Sequence, residues 1–263
     1  MKAEYCFATG DVSAILKSIG SYLYAGGFVG NGNDGELSNC YATGNVFADR
    51  LGTAQLFVGG LVGQINSNGK ISNCFATGSV IAQRSGSMGS INAGGLAGNA
   101  LLTAPVANSA ALGSSVTATG GSTRYVGRVF GNNVTGGKSN NHANNSMRLY
   151  SDSTYNADEP SSYTPTPTPA DNNRNGADAD INDDFKNHWF WRDTMRFNPD
   201  VWLFTTVAER GYPILRGPNV NFVPGSALGG QEQGVIVGTP AKETITLPDN
   251  TKVTFDTWQR LRS

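Results

Sequence analysis

Three cysteines, Cys6, Cys40 and Cys74, could ligate a soft metal or form disulfides, and they are the first residues whose type invites chemistry. Neither chemistry suits their spacing. No second Cys or His lies at zinc-like distance from any of them. If they stack one above another, their parallel Cβ vectors make poor disulfide geometry. Gly30-Asn31-Gly32-Asn33-Asp34-Gly35 fits G-x-G-x-x-G, but a dinucleotide site needs a helix directly afterwards, and Glu36-Leu37-Ser38-Asn39-Cys40 reads as a strand. The stretch from Asn132 to Ser139 ends in Gly-Lys-Ser like a phosphate-binding loop, yet Asn132 replaces its first glycine. Asp171, Asn173, Asn175 and Gly176 match the front half of a calcium loop; Asp178 and Asn182 break the back half, which favours a solvated acidic loop. His142 and His188 are the only histidines, so no H-E-x-x-H is possible, and no G-x-S-x-G occurs. Arg50 and Arg84 share a row, but no carboxylate row accompanies them. No catalytic residue, metal or cofactor is assigned.

The elements that position these residues explain the pattern. The cysteines fall 34 residues apart, and the same words surround each: Cys6-Phe7-Ala8-Thr9-Gly10, Cys40-Tyr41-Ala42-Thr43-Gly44 and Cys74-Phe75-Ala76-Thr77-Gly78. A second phrase keeps the beat, as Gly26-Gly27-Phe28-Val29-Gly30, Gly59-Gly60-Leu61-Val62-Gly63, Gly94-Gly95-Leu96-Ala97-Gly98 and a worn Gly127-Arg128-Val129-Phe130-Gly131. A fixed period of this size marks stacked supersecondary units. The segments are short, rich in Val, Ile, Phe, Tyr and Thr, and punctuated by Gly and Asn, which reads as strands. The 34 glycines would ruin a helix bundle but serve the corners of a solenoid. The expected fold is all-β: a parallel β-solenoid of about four coils, roughly 20 Å long at the ~4.8 Å strand spacing.

Stacking puts equal positions in rows. Asn39, Asn73, Asn108 and Asn140 should form an amide ladder at a bend, each bonding its neighbours. Leu37 and Ile71 point inward before that bend; Cys40, Ala42, Cys74 and Ala76 point inward after it, with Cys6 in the same interior row. Phe7, Tyr41 and Phe75 then face the other way, as a line of rings either suited to protein or glycan contact or covered by the tether or cap. For the Gly-Gly-Leu-Val-Gly strand both alternating rows are apolar or glycine, so its inward face is undecided.

The phrases Gly-Gly-Leu-Val-Gly and Ile-Ser-Asn-Cys-Phe-Ala-Thr-Gly-x-Val resemble GLUG-motif repeats of bacterial surface and secreted proteins. Those include adhesin-like proteins and non-catalytic regions of some immunoglobulin A1 metalloproteases. The resemblance covers about residues 1 to 150. It implies a β-solenoid, a bacterial origin and an extracellular or cell-surface location, and it brings no shared catalytic residues.

Four regions are expected: a solenoid over 1–150, a Pro/Thr/Asp-rich linker or covering loop over 151–180, an aromatic cap over 181–217, and a β-hairpin extension or further module over 218–263. Trp189, Trp191 and Trp202 suit a cap that covers the last coil and blunts its edge, with exposed Trp189 and Trp191 as a rival sugar-stacking site. Lys2-Ala3-Glu4-Tyr5-Cys6 begins in mid-repeat, which suggests a piece of a longer, exported chain. With 19 basic and 20 acidic residues there is no footprint for nucleic acid, and no run is long and apolar enough for a membrane span. The expected role is a non-catalytic adhesive module, or alternatively the passive stalk of a larger secreted enzyme.

Overall fold

The computed structural model describes residues 2–17, 20–85, 88–101, 103–132, 137–152 and 173–216, and the backbone of 241–246 and 252–257. The expected covering loop across 153–172, Asp171 and the turn at 247–251 lie outside the described residues.

The repeats form a stack of parallel strands, five in each of the first three coils, and each strand position builds its own sheet. Sheet A holds Lys2–Glu4, Glu36–Ser38, Lys70–Ser72, Val106–Ala107 and Lys138–Ser139. Sheet B holds Phe7–Ala8, Tyr41–Ala42, Phe75–Ala76, Ala110–Ala111, His142–Asn144 and Ala177–Ala179. Sheet C holds Val12–Leu16, Val46–Arg50, Val80–Arg84, Ser115–Thr119 and Arg148–Asp152. Sheet D holds Leu23–Gly26, Leu56–Gly59, Ser90–Gly94 and Thr123–Gly127; sheet E holds Val29–Asn31, Val62–Ile65 and Ala97–Ala100. The chain is therefore a β-solenoid of about four turns. Leu37 pairs with Ile71, Ile71 with Val106 and Val106 with Lys138, steps of 34, 35 and 32 residues, so small length changes leave the register intact.

The interior rows follow strand parity. Leu37, Ile71 and Val106 are fully buried in one row, Val46, Val80 and Val116 in another, and Cys40, Ala42, Cys74 and Ala76 in the same core. The undecided strand resolves by shape. A Cβ on Gly63 would lie 2.8 Å from the Ala25 nitrogen, so that face of sheet E sits directly on the backbone of sheet D. Leu61, Val62, Leu96 and Ala97 turn the other way into the core. At the D–E corner a Cβ on Gly60 would also come 2.9 Å from the Ala76 Cβ. The Gly-Gly phrase and the Ala of the Cys phrase thus travel together because they occupy one contact.

Between sheets A and B each coil bends at a residue with positive φ: Asn39 at 53°, Asn73 at 52°, Asn108 at 50° and Asn140 at 51°. Asn tolerates this left-handed region better than most residues. The next residue supplies a hydrogen-bond relay. The Cys40 N–H donates to Cys74 Sγ (3.4 Å), the Cys74 N–H to Ser109 Oγ (3.3 Å), and the Ser109 N–H to Asn141 Oδ1 (3.3 Å). The slot accepts Cys, Ser or Asn because each offers an acceptor to a buried corner N–H. All three thiols are free, and burial holds that of Cys74 well above its usual pKa.

The polar residues of the last coil mark its end. Lys138 follows Leu37, Ile71 and Val106 in the interior row, and its ammonium donates to the Ala104 carbonyl at 2.6 Å. Burial lowers its pKa to about 8. Arg128 replaces the glycine of positions 27, 60 and 95. Its buried guanidinium donates to the Asn175 and Gly176 carbonyls and pairs with Asp178 at 2.6 Å. Arg174 O accepts the N–H groups of Val129 and Phe130, and Ala177–Ala179 extends sheet B. Residues 173–179 therefore roof part of the last coil. The aromatic segment, expected there, lies elsewhere.

Outside the solenoid, Ala241–Thr246 and Lys252–Thr257 pair antiparallel.

Candidate functional site

The outer face of sheet B carries the expected aromatic row. Phe7, Tyr41 and Phe75 stack face to face, with ring centroids 5.2 and 4.9 Å apart and planes within 8°. Residues 181–216 lie on this flank. Phe185, Phe190, Trp191, Met195, Phe197, Trp202 and Val207 are buried with Tyr41, Phe75, Ala110 and Leu112 in a second core. Phe75 is central: Trp191, Tyr212 and Trp202 approach its ring centroid at 5.3, 5.4 and 5.7 Å.

Hydrogen bonds fix the docking, and they come from the Asn row. Trp202 Nε1–H donates to Asn39 Oδ1 at 3.0 Å. Asn73 Nδ2 donates to the Arg196 carbonyl at 3.0 Å, and Asn140 Nδ2 to the Thr194 carbonyl at 2.7 Å. The expected amide ladder is thus largely diverted: Asn140 to Asn108 bonds at 2.8 Å, while Asn39 and Asn73 serve the cap. The side chain that caps a bend in one coil anchors the segment that covers it.

This arrangement corrects three of the residues expected to form a contact surface. Phe75 and Trp191 are 0 % exposed and Tyr41 is 6 % exposed, because cap and row bury one another. Trp191 also spends its indole N–H on the Phe185 carbonyl, at 2.9 Å. Phe7 at 57 % and Trp189 at 45 % stay accessible. They belong to opposite parts of the flank rather than to one platform: Phe7 ends the row, and Trp189 makes its ring contact with Phe190.

A second aromatic group went unread in the sequence. On sheet D, Tyr24 stacks on Phe57 at 5.1 Å and 6°, with Tyr22 edge-on to both. Tyr24 and Phe57 pair directly, and the slot continues through Asn92 to Tyr125. Each stands two residues before a Gly-Gly or Gly-Arg phrase, so the repeat carried the signal. Tyr22 and Tyr125 are exposed, and no cap covers them among the described residues.

The enzyme-like motifs resolve into scaffold. Gly32–Gly35 is a turn leading into the strand Glu36–Ser38. Arg84 is buried and donates to the carbonyls of Gly52, Ala54, Met88 and Ser90; Arg50 reaches the Ser21 carbonyl. These guanidiniums staple the loops between sheets C and D, and Arg84, though lowered to about 10 by burial, stays charged at neutral pH. In the acidic segment Ala177–Ala179 is a strand, and Asp180 Oδ1 accepts the N–H groups of Asn182 and Asp183. No cluster of three metal-ligating side chains occurs among the described residues, and no helix of theirs is long and apolar enough to cross a membrane.

Comparison with known proteins gives one match. The family model of the GLUG motif matches residues 21–46 and 58–81. Each stretch runs from sheet D through sheets E, A and B into sheet C, one round of the solenoid. No curated protein matches the chain, and no solved structure does. Spacing and fold agree with the two matched stretches: residues 21–46 and 58–81 are GLUG-motif repeats, and the chain is similar to GLUG-motif repeat proteins.

Proposed function

We propose that this chain is a non-catalytic adhesive module of a bacterial cell-surface or secreted protein, holding a rigid face toward a host or matrix protein or a glycan. A structural repeat module is the established part. The observation that carries the rest is the exposed Tyr22, set edge-on to a half-buried Tyr24 that stacks on the buried Phe57, on a flank fixed by parallel sheets. Ring faces and hydroxyls on a preordered surface lose little conformational entropy on binding. The contact surface is therefore moved from the covered row of Tyr41 and Phe75 to sheet D.

Screening the folded protein on arrays of glycans and of host-surface and matrix proteins tests this reading. Binding that Tyr22→Ser with Tyr24→Ser removes, at unchanged melting temperature, supports it. A silent array supports the second reading, a passive stalk of a larger secreted enzyme. The covering of Tyr41 and Phe75 favours that alternative, since the most regular aromatic row is spent on packing. Surface or extracellular location is part of the proposal, and fractionation of producing cells with an antibody to the solenoid checks it.

A further inference from the structure

The corner between sheets B and C keeps one length in the early turns and then grows. Cys6 to Val12, Cys40 to Val46 and Cys74 to Val80 are each six residues; Ser109 to Val116 is seven, and Asn141 to Leu149 is eight. Val12, Val46, Val80, Val116 and Leu149 nevertheless stay in register, so the corner absorbs the extra residues and the strands do not. In repeat architectures such insertions gather on one face, often the binding face. Here they border a groove of about 380 Å³, lined by Ser114, Ser115, Asn144, Ser146, Arg148 and Tyr150. That volume is at the small end of ligand pockets, roughly 300–1,000 Å³, and suits one sugar-sized group.

The floor of the groove is fixed. Buried Asn144 donates from Nδ2 to the Leu112 and Gly113 carbonyls, at 3.4 and 3.3 Å, and its Oδ1 accepts the Ser146 N–H at 2.9 Å. The Arg148 N–H donates to the Ser114 carbonyl at 2.9 Å, and Ser114 Oγ lies 2.9 Å from Ser79 Oγ. Leu149 turns into the core, so Arg148 and Tyr150 both face outward, with Arg148 opposite Ser115. Earlier turns place Asp11, Asn45 and Ser79 at the Arg148 position, and those residues bond one another. The Asn45 N–H donates to Asp11 Oδ1 at 2.7 Å and the Ser79 N–H to Asn45 Oδ1 at 3.0 Å. Arg148 breaks that row. Its guanidinium is exposed and, like the Tyr150 and Ser115 hydroxyls, makes no hydrogen bond or ion pair among the described residues. No acidic side chain lines the groove.

We propose that this groove binds one sugar residue carrying a carboxylate, such as a uronic acid unit of an acidic glycan. The guanidinium forks onto the carboxylate. The Ser115 and Tyr150 hydroxyls, which both donate and accept, match sugar hydroxyls, and the tyrosine ring offers an apolar face to the pyranose. One cation matches a monoanion. A phosphate dianion would keep a charge unmatched, because the Ser146 and Arg148 N–H groups that could answer it are already bonded. The groove lies off sheet D, so this site extends the glycan reading without resting on Tyr22 or Tyr24.

NMR on the full chain tests it, reading the amides of Ser115, Asn144, Ser146 and Arg148 at about 150 mM salt. The probes, added separately, are methyl glucuronide, methyl glucoside, acetate and phosphate. Methyl glucuronide should give saturable shifts confined to these residues, and the other three should bind at least ~10-fold more weakly. Arg148→Gln should weaken glucuronide binding at least ~10-fold, and Arg148→Lys, which keeps the charge but loses the fork, at least ~3-fold. Lys70→Gln, which removes an exposed charge on sheet A, should bind like the parent. Thermal melts confirm that each variant is folded. Four results would overturn the proposal: no shifts at about 50 mM glucuronide, equal binding of the glucoside, unchanged affinity in Arg148→Gln, or acetate or phosphate binding as tightly, which leaves a bare ion site. Array binding that depends on the sheet D tyrosines is read separately, so either site can fail while the other stands.

Discussion

Phe7 and Phe75 occupy one structural slot in two coils and differ in what covers them, so truncating each in turn isolates the cap. Phe75→Ala removes a fully buried ring that touches Tyr41, Trp191, Trp202 and Tyr212. Truncating a buried Phe costs about 3–5 kcal/mol, with the aromatic contacts at the upper part of that range. For a unit of this size each kcal/mol lowers the melting temperature by about 2–4 °C, so a fall of roughly 6–20 °C is expected. Phe7→Ala loses only one stacked partner and a ring already 57 % exposed, about 1 kcal/mol and a few degrees. Calorimetry gives the two shifts, and tryptophan fluorescence reports whether Trp191 and Trp202 become wet. Near-equal shifts for the two variants, or a Phe75→Ala protein with native fluorescence and melting, would refute the flank-capping argument.

Other consequences follow from the same geometry. Gly78→Ala should destabilise by about 1–3 kcal/mol, because its Cβ would run into the Gly44 carbonyl group in the coil beneath, 2.6 Å from the carbonyl carbon; Gly10→Ala, with open space around it, should melt like the parent in the same thermal scan. Arg128→Ala should cost about 3 kcal/mol and speed amide exchange in Ala177–Ala179, whereas Asp178→Asn should cost under about 1 kcal/mol because its carboxylate is half exposed. Lys138 has a folded-state pKa lowered from its ordinary 10.5 to about 8, so the unfolded chain binds more protons between those values. Stability should therefore rise with pH across about 8 to 10.5, by up to about 3 kcal/mol, and denaturant titrations of Lys138→Met should lack that increment. Thiol reagents should label Cys6 ahead of the buried Cys40 and Cys74.

The repeat made the solenoid legible because a coil can bury its apolar face only against another like itself. Spacing and parity carried the inward rows of Leu37, Ile71, Cys40 and Cys74 directly. What lay outside the period was harder. The segment from Ile181 to Arg216 does not repeat, so nothing in its composition says whether its aromatics cover an end or a flank; the complementary rings of Tyr41 and Phe75 decide that in three dimensions. The same contact redirected Asn39 and Asn73 from their neighbours to the cap. Two signals were present but unread. Lys138 and Arg128 break apolar and glycine slots where stacking stops, and Tyr24 and Phe57 recur before the Gly-Gly phrase. The face of sheet E toward sheet D was undecidable in one dimension because Gly and Val both fit an apolar pattern, and only backbone contact separates them.

The bond that joins the two ends of this account is the one from Trp202 to Asn39, 163 residues apart in sequence. Proton exchange of the indole N–H groups, followed by NMR, tests it directly. Asn39→Gly keeps the positive φ of the bend and deletes the acceptor. This variant should release the Trp202 indole proton to solvent at least ~10-fold faster. The Trp191 indole proton, held by the Phe185 carbonyl, should remain slow. Unchanged exchange at Trp202 would mean that the aromatic segment does not rest on the bend of the second coil, and the capped-flank solenoid would be wrong.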